Sequence, residues 1–185
     1  MKVTAIYGSA RKSGNCTYLV DHALRCLGDD VEVTRYYLHE MELNACLCCF
    51  SCREKPGCVQ KDALSELLEN VIESDFVIFS SPIFYWSVTG QVKMMLDRLY
   101  PMQGGPSGQY YQRYPGKRGL LIMSQELSRD ISFGEPERTT LLLNSFGFEP
   151  LDVVLCDFAN DPNRARQDEA LLQEVERICR SAKEA

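Results

Sequence analysis

Gly8-Ser-Ala-Arg-Lys-Ser-Gly14-Asn-Cys-Thr17 follows a short apolar run, Val3-Thr-Ala-Ile-Tyr7. It precedes a segment in which Leu19, Val20, Ala23, Leu24 and Leu27 recur at helical spacing. The stretch therefore reads as strand, polar loop and helix. The same alternation continues outward. Strands are expected at residues 31–36, 76–80, 119–123 and 151–156, and helices at 62–73, 88–99, 136–146 and 163–182. Residues 76–80 are continuously apolar, as in a central parallel strand covered on both faces. Strands alternating with helices predict an α/β three-layer sandwich, a five-stranded parallel sheet in the doubly wound order 2-1-3-4-5. One domain over 1–185 is the expected organisation. In this topology a ligand sits beyond the carboxyl ends of strands 1 and 3, where the winding reverses.

Composition narrows the partners. The formal charge of −6 disfavours nucleic acid and anionic membranes. No window approaches the roughly 18 apolar residues of a membrane span. The N-terminal run lacks the apolar stretch and cleavage site of a signal peptide, so a soluble, cytoplasmic location is expected.

The loop after strand 1 offers unpaired backbone N–H groups and the positive end of a helix dipole, a setting suited to phosphate. Ser9, Ser13 and Thr17 add hydroxyls and Arg11 a cation, with Gly14, Asn15 and Cys16 completing the turn. Gly14 is followed by Asn15-Cys16 rather than Lys-Ser/Thr, which excludes a triphosphate loop. Two glycines six apart also exclude the dinucleotide turn. A hydroxyl-rich loop fits a terminal monophosphate, as in FMN.

The loop after strand 3, Ser81-Pro82-Ile83-Phe84-Tyr85-Trp86, carries three consecutive aromatics that cannot all enter a core. Aromatic faces beside a flavin ring gain stacking contact, and neighbouring N–H groups can bond its polar edge. Ser124 and Gln125, at the end of strand 4, face the same side.

Gly-Ser-x-Arg-x-x-Gly-Asn at 8–15 resembles the signature of the NAD(P)H-dependent FMN reductases and the related iron–sulfur flavoproteins, of flavodoxin-like fold. Ser-Pro at 81–82 and the run Gly90-Gln-Val-Lys93 with Asp97-Arg98 resemble the same family's second pattern. This chain has Cys16 where the family usually has Thr, and Phe84 where it has Tyr. The resemblance covers about residues 1–100 and implies bound FMN and NAD(P)H as co-substrate. It further implies a small-molecule or protein electron acceptor and a homodimer. The flavin carries such chemistry, so no acid/base triad is expected.

Nine cysteines are many, and five crowd into residues 46–58. Cys46-x2-Cys49-x2-Cys52-x5-Cys58 is compact enough to wrap a [4Fe–4S] cluster, with Cys48 spare, and matches the cysteine motif of the iron–sulfur flavoproteins. Unligated thiols, zinc or a disulfide remain alternatives. If a cluster is present, the alternative function is an electron carrier that relays single electrons. His22 and His39 show no obvious carboxylate partner and read as surface residues. Tyr110, Tyr111 and Tyr114 read as either a lid over the flavin or an exposed loop.

Overall fold

The computed structural model describes residues 1–184. The chain runs β1 (Lys2–Tyr7), α1 (Asn15–Leu27), β2 (Glu32–Tyr37), α2 (Ser51–Glu54), α3 (Ala63–Glu73), β3 (Phe76–Pro82), α4 (Gly90–Arg98), β4 (Gln103–Gly104), β5 (Tyr111–Gln112), β6 (Lys117–Ser124), α5 (Glu135–Ser145), β7 (Phe148–Cys156), α6 (Arg164–Gln167) and α7 (Glu169–Glu184). The five long strands pair in the order β2-β1-β3-β6-β7, all parallel. Counted along the chain this is 2-1-3-4-5, as the alternation predicts. The two-residue strands β4 and β5 form a separate antiparallel hairpin.

The strand pleat sends alternate side chains to opposite faces. Val3, Ala5 and Tyr7 of β1 pack with the apolar stripe of α1 and with Leu171, Val175 and Ile178 of α7. Ile6, Val77 and Phe79 pack on the other face with Leu67 and Val71 of α3, Met95 of α4 and Leu143 of α5. β3 lies between two partners and is buried along almost its whole length, which explains its unbroken apolar run.

Two helix starts are fixed by side chains. Asp62 accepts from Ser65 N–H at 3.2 Å while Ser65 Oγ lies 3.5 Å from Asp62 N, a capping box that opens α3. Thr89 caps α4 through Val92 N–H and donates its own hydroxyl to Gly8 O at 3.0 Å, tying the first loop to the second. The closing helix expected at 163–182 is instead two, because Asp168 leaves helical geometry and caps Leu171 N–H at 3.1 Å.

Candidate cofactor groove and cysteine cavity

The loop after β1 leaves the sheet hard against β3. Gly8 N donates to Ser80 O at 3.0 Å, and a Cβ on Gly8 would lie 2.2 Å from that oxygen and 2.3 Å from Val92 Cγ2. Only glycine permits this approach. Gly14 then enters α1 in extended geometry, and no side chain caps the helix. The first N–H groups of α1 are therefore left for an outside acceptor, and its positive dipole end is unopposed. Among the described residues the exposed Arg11 guanidinium makes no ion pair or hydrogen bond. Ser9 Oγ accepts from Arg11 N at 3.1 Å and keeps its own proton to donate. Ser13 is exposed on the same turn. These groups fit a phosphate.

Three side chains assigned to cofactor binding from sequence, Asn15 and Thr17 to its phosphate, make other contacts. Asn15 Nδ2 donates to Ala159 O at 3.1 Å and Asp161 O at 2.8 Å, and its Oδ1 accepts from Ala165 N at 2.9 Å. Thr17 donates to Arg11 O at 2.9 Å. Both brace the loop and leave only backbone to a ligand. The buried Cys16 thiol donates to Ser124 Oγ at 3.1 Å, and burial pushes its pKa up to about 12. It is a neutral packing group at pH 7, and Ser124 is half engaged by it.

Pro82 ends β3 and Ile83 N donates to Ser124 O at 2.7 Å. Phe84 and Ser87 then exchange two backbone hydrogen bonds, at 2.8 and 3.1 Å, around Tyr85 (φ 48°) and Trp86 (φ 61°). Positive φ at both central positions defines a tight hairpin turn normally reserved for Asn and Gly. Here it displays Phe84, Tyr85 and Trp86 at 60%, 94% and 49% exposure. Among the described residues Tyr85 N–H and Trp86 N–H have no protein acceptor. Strain of this kind collects at functional sites.

Glu135, invisible to the sequence argument, holds the hairpin. Its carboxylate accepts from Val88 N at 3.0 Å and pairs with Arg138 at 2.6 Å, and Arg138 reaches Trp86 O at 2.9 Å. Trp86 also meets Phe133 edge-on at 4.9 Å.

The two loops line two joined clefts. One of about 160 Å³ is walled by Ser9, Arg11, Gly14, Asn15, Cys16 and Ser124, with Ala159, Asn160 and Pro162 from the loop after β7. The other, about 410 Å³, is walled by Tyr85, Trp86, Leu127 and Ile131. Ile83, Phe84, Gln125 and Glu126 line both. Pocket walls from β6 and β7 had no signal in the sequence beyond their position at strand ends.

A second cavity of about 400 Å³ is lined by Cys46, Cys48, Cys49, Cys52 and Cys58 with Asp97, Arg98 and Tyr100. Cys46, Cys48 and Cys49 are exposed and Cys52 and Cys58 partly covered. Burial raises the Cys52 pKa, and Cys58, Cys46 and Cys49 stand near enough to raise it further. Hydrogen bonds from Ser51, backbone and side chain, lower that of Cys49. Arg98 is 3% exposed; it grips Asp62, donates to Asn44 O at 2.9 Å, and leaves Nε without a partner. An orphaned buried N–H beside five thiols fits an anionic sulfur group, thiolate or cluster.

The Tyr-rich connection covers this cavity's neighbourhood and not the flavin groove. Arg53 donates to Tyr100 Oη at 3.0 Å and Tyr110 Oη at 2.9 Å and lies 4.1 Å over the Phe50 ring. Arg113 donates to Cys52 O at 3.0 Å. The groove and the cysteine cavity share no lining residue, and α4 reaches the cavity with Asp97 and Arg98 at its C-terminal end.

A doubly wound sheet with these loops at its switch point defines the class, a flavodoxin-like α/β protein. The sequence model of the NADPH-dependent FMN reductases matches residues 1–127, and the chain belongs to that family. An iron-sulfur flavoprotein of Archaeoglobus fulgidus is 40% identical over 108 residues, covering 58% of this chain and 49% of that one. An iron-sulfur flavoprotein of Methanocaldococcus jannaschii is 38% identical over 106 residues, 57% of this chain and 55% of the other. The matched region spans about half the length of these curated relatives. In fold, an azoreductase of Bacillus anthracis superposes with TM-score 0.75 at 14% identity over the whole of both chains. An NAD(P)H:quinone oxidoreductase of Methanothermobacter marburgensis gives 0.72 at 10% identity over 99% and 98%. No helix among the described residues is long and apolar enough to cross a membrane.

Proposed function

We propose that the chain is an FMN-dependent NAD(P)H oxidoreductase. The observation that carries this is one groove with an uncapped helix N-terminus at one end and a strained aromatic hairpin at the other. Ser9, Arg11, Ser13 and the N–H groups at Asn15 and Cys16 hold the phosphate, while Gly14, whose own N–H donates to Arg11 O at 3.1 Å, sets the turn. Pro82 and Ile83 set the floor, while Phe84, Tyr85 and Trp86 flank the ring. Ser124 lies between the two ends. Bound FMN supplies hydride and single-electron chemistry; the protein orients it and excludes water from one face. Exposed apolar side chains outside the groove, Leu141 and Phe158 among them, leave surface for a second copy, and we extend the proposal to a cytoplasmic homodimer acting on a small-molecule or protein acceptor.

Binding of FMN and of riboflavin, followed by quenching of flavin fluorescence, tests the reading. FMN should bind at least tenfold more tightly, and NADH or NADPH should then bleach the bound flavin under anaerobic conditions. Equal affinities, or no uptake at all, would count against it.

A second reading is favoured by the orphaned Arg98 Nε at the thiol-lined cavity. In it Cys46, Cys49, Cys52 and Cys58 hold a [4Fe–4S] cluster, and the chain is an electron carrier. Iron and sulfide analysis of anaerobically purified protein separates the two.

A further inference from the structure

His22, on the face of α1 turned toward α7, is not the lone surface residue expected from sequence. Its Nε2 lies 3.4 Å from Glu176 Oε1 of α7 and 3.7 Å from Cys26 Sγ, one turn along α1. All three ligand atoms fall within 4.8 Å of one another. The contact to sulfur has the length of a weak sulfur hydrogen bond and the contact to oxygen that of a loose ion pair. Both converge on a single nitrogen, which carries at most one proton, so a well-directed hydrogen bond serves only one of them at a time.

A metal ion serves all three at once. Tetrahedral coordination with bonds of about 2.3 Å to sulfur and about 2.0–2.1 Å to nitrogen and oxygen places sulfur and nitrogen about 3.6 Å apart, and nitrogen and oxygen about 3.4 Å apart. The two separations from Nε2, 3.7 Å to sulfur and 3.4 Å to oxygen, match, and the sulfur–oxygen separation is within 4.8 Å. The donor set, one thiolate, one imidazole and one carboxylate, suits a borderline-soft divalent ion rather than calcium or magnesium. The His22 side chain is 14% exposed, and Tyr18 stacks on its ring with centroids 6.3 Å apart, so its orientation is held before any ion arrives.

We propose that His22, Cys26 and Glu176 bind one zinc-class divalent cation, with water at the fourth position, and that the ion staples α1 to α7. As the sulfur–metal bond forms, the Cys26 thiol gives its proton to solvent. The site lies about 10 Å along α1 from Asn15, at 1.5 Å per residue, and shares no residue with the groove or the cysteine cavity.

Cobalt(II) titration of the anaerobic protein, read by thiolate-to-cobalt charge transfer, tests this. A variant with Cys46, Cys48, Cys49, Cys52 and Cys58 all replaced by serine removes competition from the cysteine loop. In that background one equivalent of cobalt should bind and be displaced by zinc. Adding Cys26→Ser should abolish the charge-transfer band, and adding Glu176→Gln, at a half-exposed position that folding tolerates, should weaken binding tenfold or more. Zinc should also raise the unfolding temperature of the wild type and not of the Cys26→Ser variant. Equal uptake with and without these substitutions, in proteins of matching circular dichroism, would overturn the proposal.

Discussion

Arg98 grips Asp62 with two hydrogen bonds, Nη1 to Oδ2 at 2.9 Å and Nη2 to Oδ1 at 2.8 Å, directly beneath the thiol-lined cavity. The arginine closes α4 and the aspartate opens α3, so the pair fixes both helices and the cysteine segment between them and β2. Asp62→Asn would leave a buried, unpaired guanidinium. Breaking such a pair costs about 3–5 kcal/mol, and urea denaturation should show a loss of that size.

The same pair sets an acid limit. The Arg98 guanidinium holds the Asp62 carboxyl well below the usual carboxylate range. A depressed folded pKa contributes stability that is complete above the unfolded value, about 4, and is lost as pH falls below it. The wild type should lose stability between about pH 4 and pH 2 more steeply than Asp62→Asn, measured by thermal unfolding across that range.

Tyr85 is almost fully exposed in left-handed backbone geometry, which costs a non-glycine residue about 1–3 kcal/mol. Tyr85→Gly should therefore leave the flavin-free protein as stable as the wild type or about 1 kcal/mol more stable. If the ring flanks a flavin, FMN affinity should fall severalfold in the same variant. Calorimetry and fluorescence titration read the two effects separately.

Gly8→Ala should destabilise strongly, because its methyl group would meet the Ser80 carbonyl at 2.2 Å. Overpacking of this kind costs about 1–3 kcal/mol or more, and the displaced loop should also lose phosphate affinity. Ala10→Gly, at an exposed position nearby, is the control expected to do neither.

Thiol reactivity should divide by environment. Burial pushes Cys16 and Cys179 up to about 12 and Cys156 up to about 11, whereas Ser51 lowers Cys49. Iodoacetamide at pH 7 on metal-free protein should label Cys49 first and leave the three buried thiols intact, as followed by peptide mass spectrometry. In protein that holds a cluster, Cys48→Ser should keep its iron while Cys58→Ser loses it.

The sequence alone determined the sheet order and both groove-forming loops. Those follow from local signals: the 3.6 and 2.0 periodicities, the Gly-Ser and Ser-Pro turns at strand ends, and the Asp62 cap. Only the tertiary structure decided which side chains remain free for a ligand. Asn15 is consumed by Ala159, Asp161 and Ala165, Cys16 by Ser124, and Thr17 by Arg11. It also placed Glu135 behind the aromatic hairpin, turned the tyrosine-rich connection toward the cysteine segment, and set His22 against Glu176. Most of these partners lie tens to more than a hundred residues apart. A hydrogen bond depends on distance and direction in space, and separation along the chain carries neither.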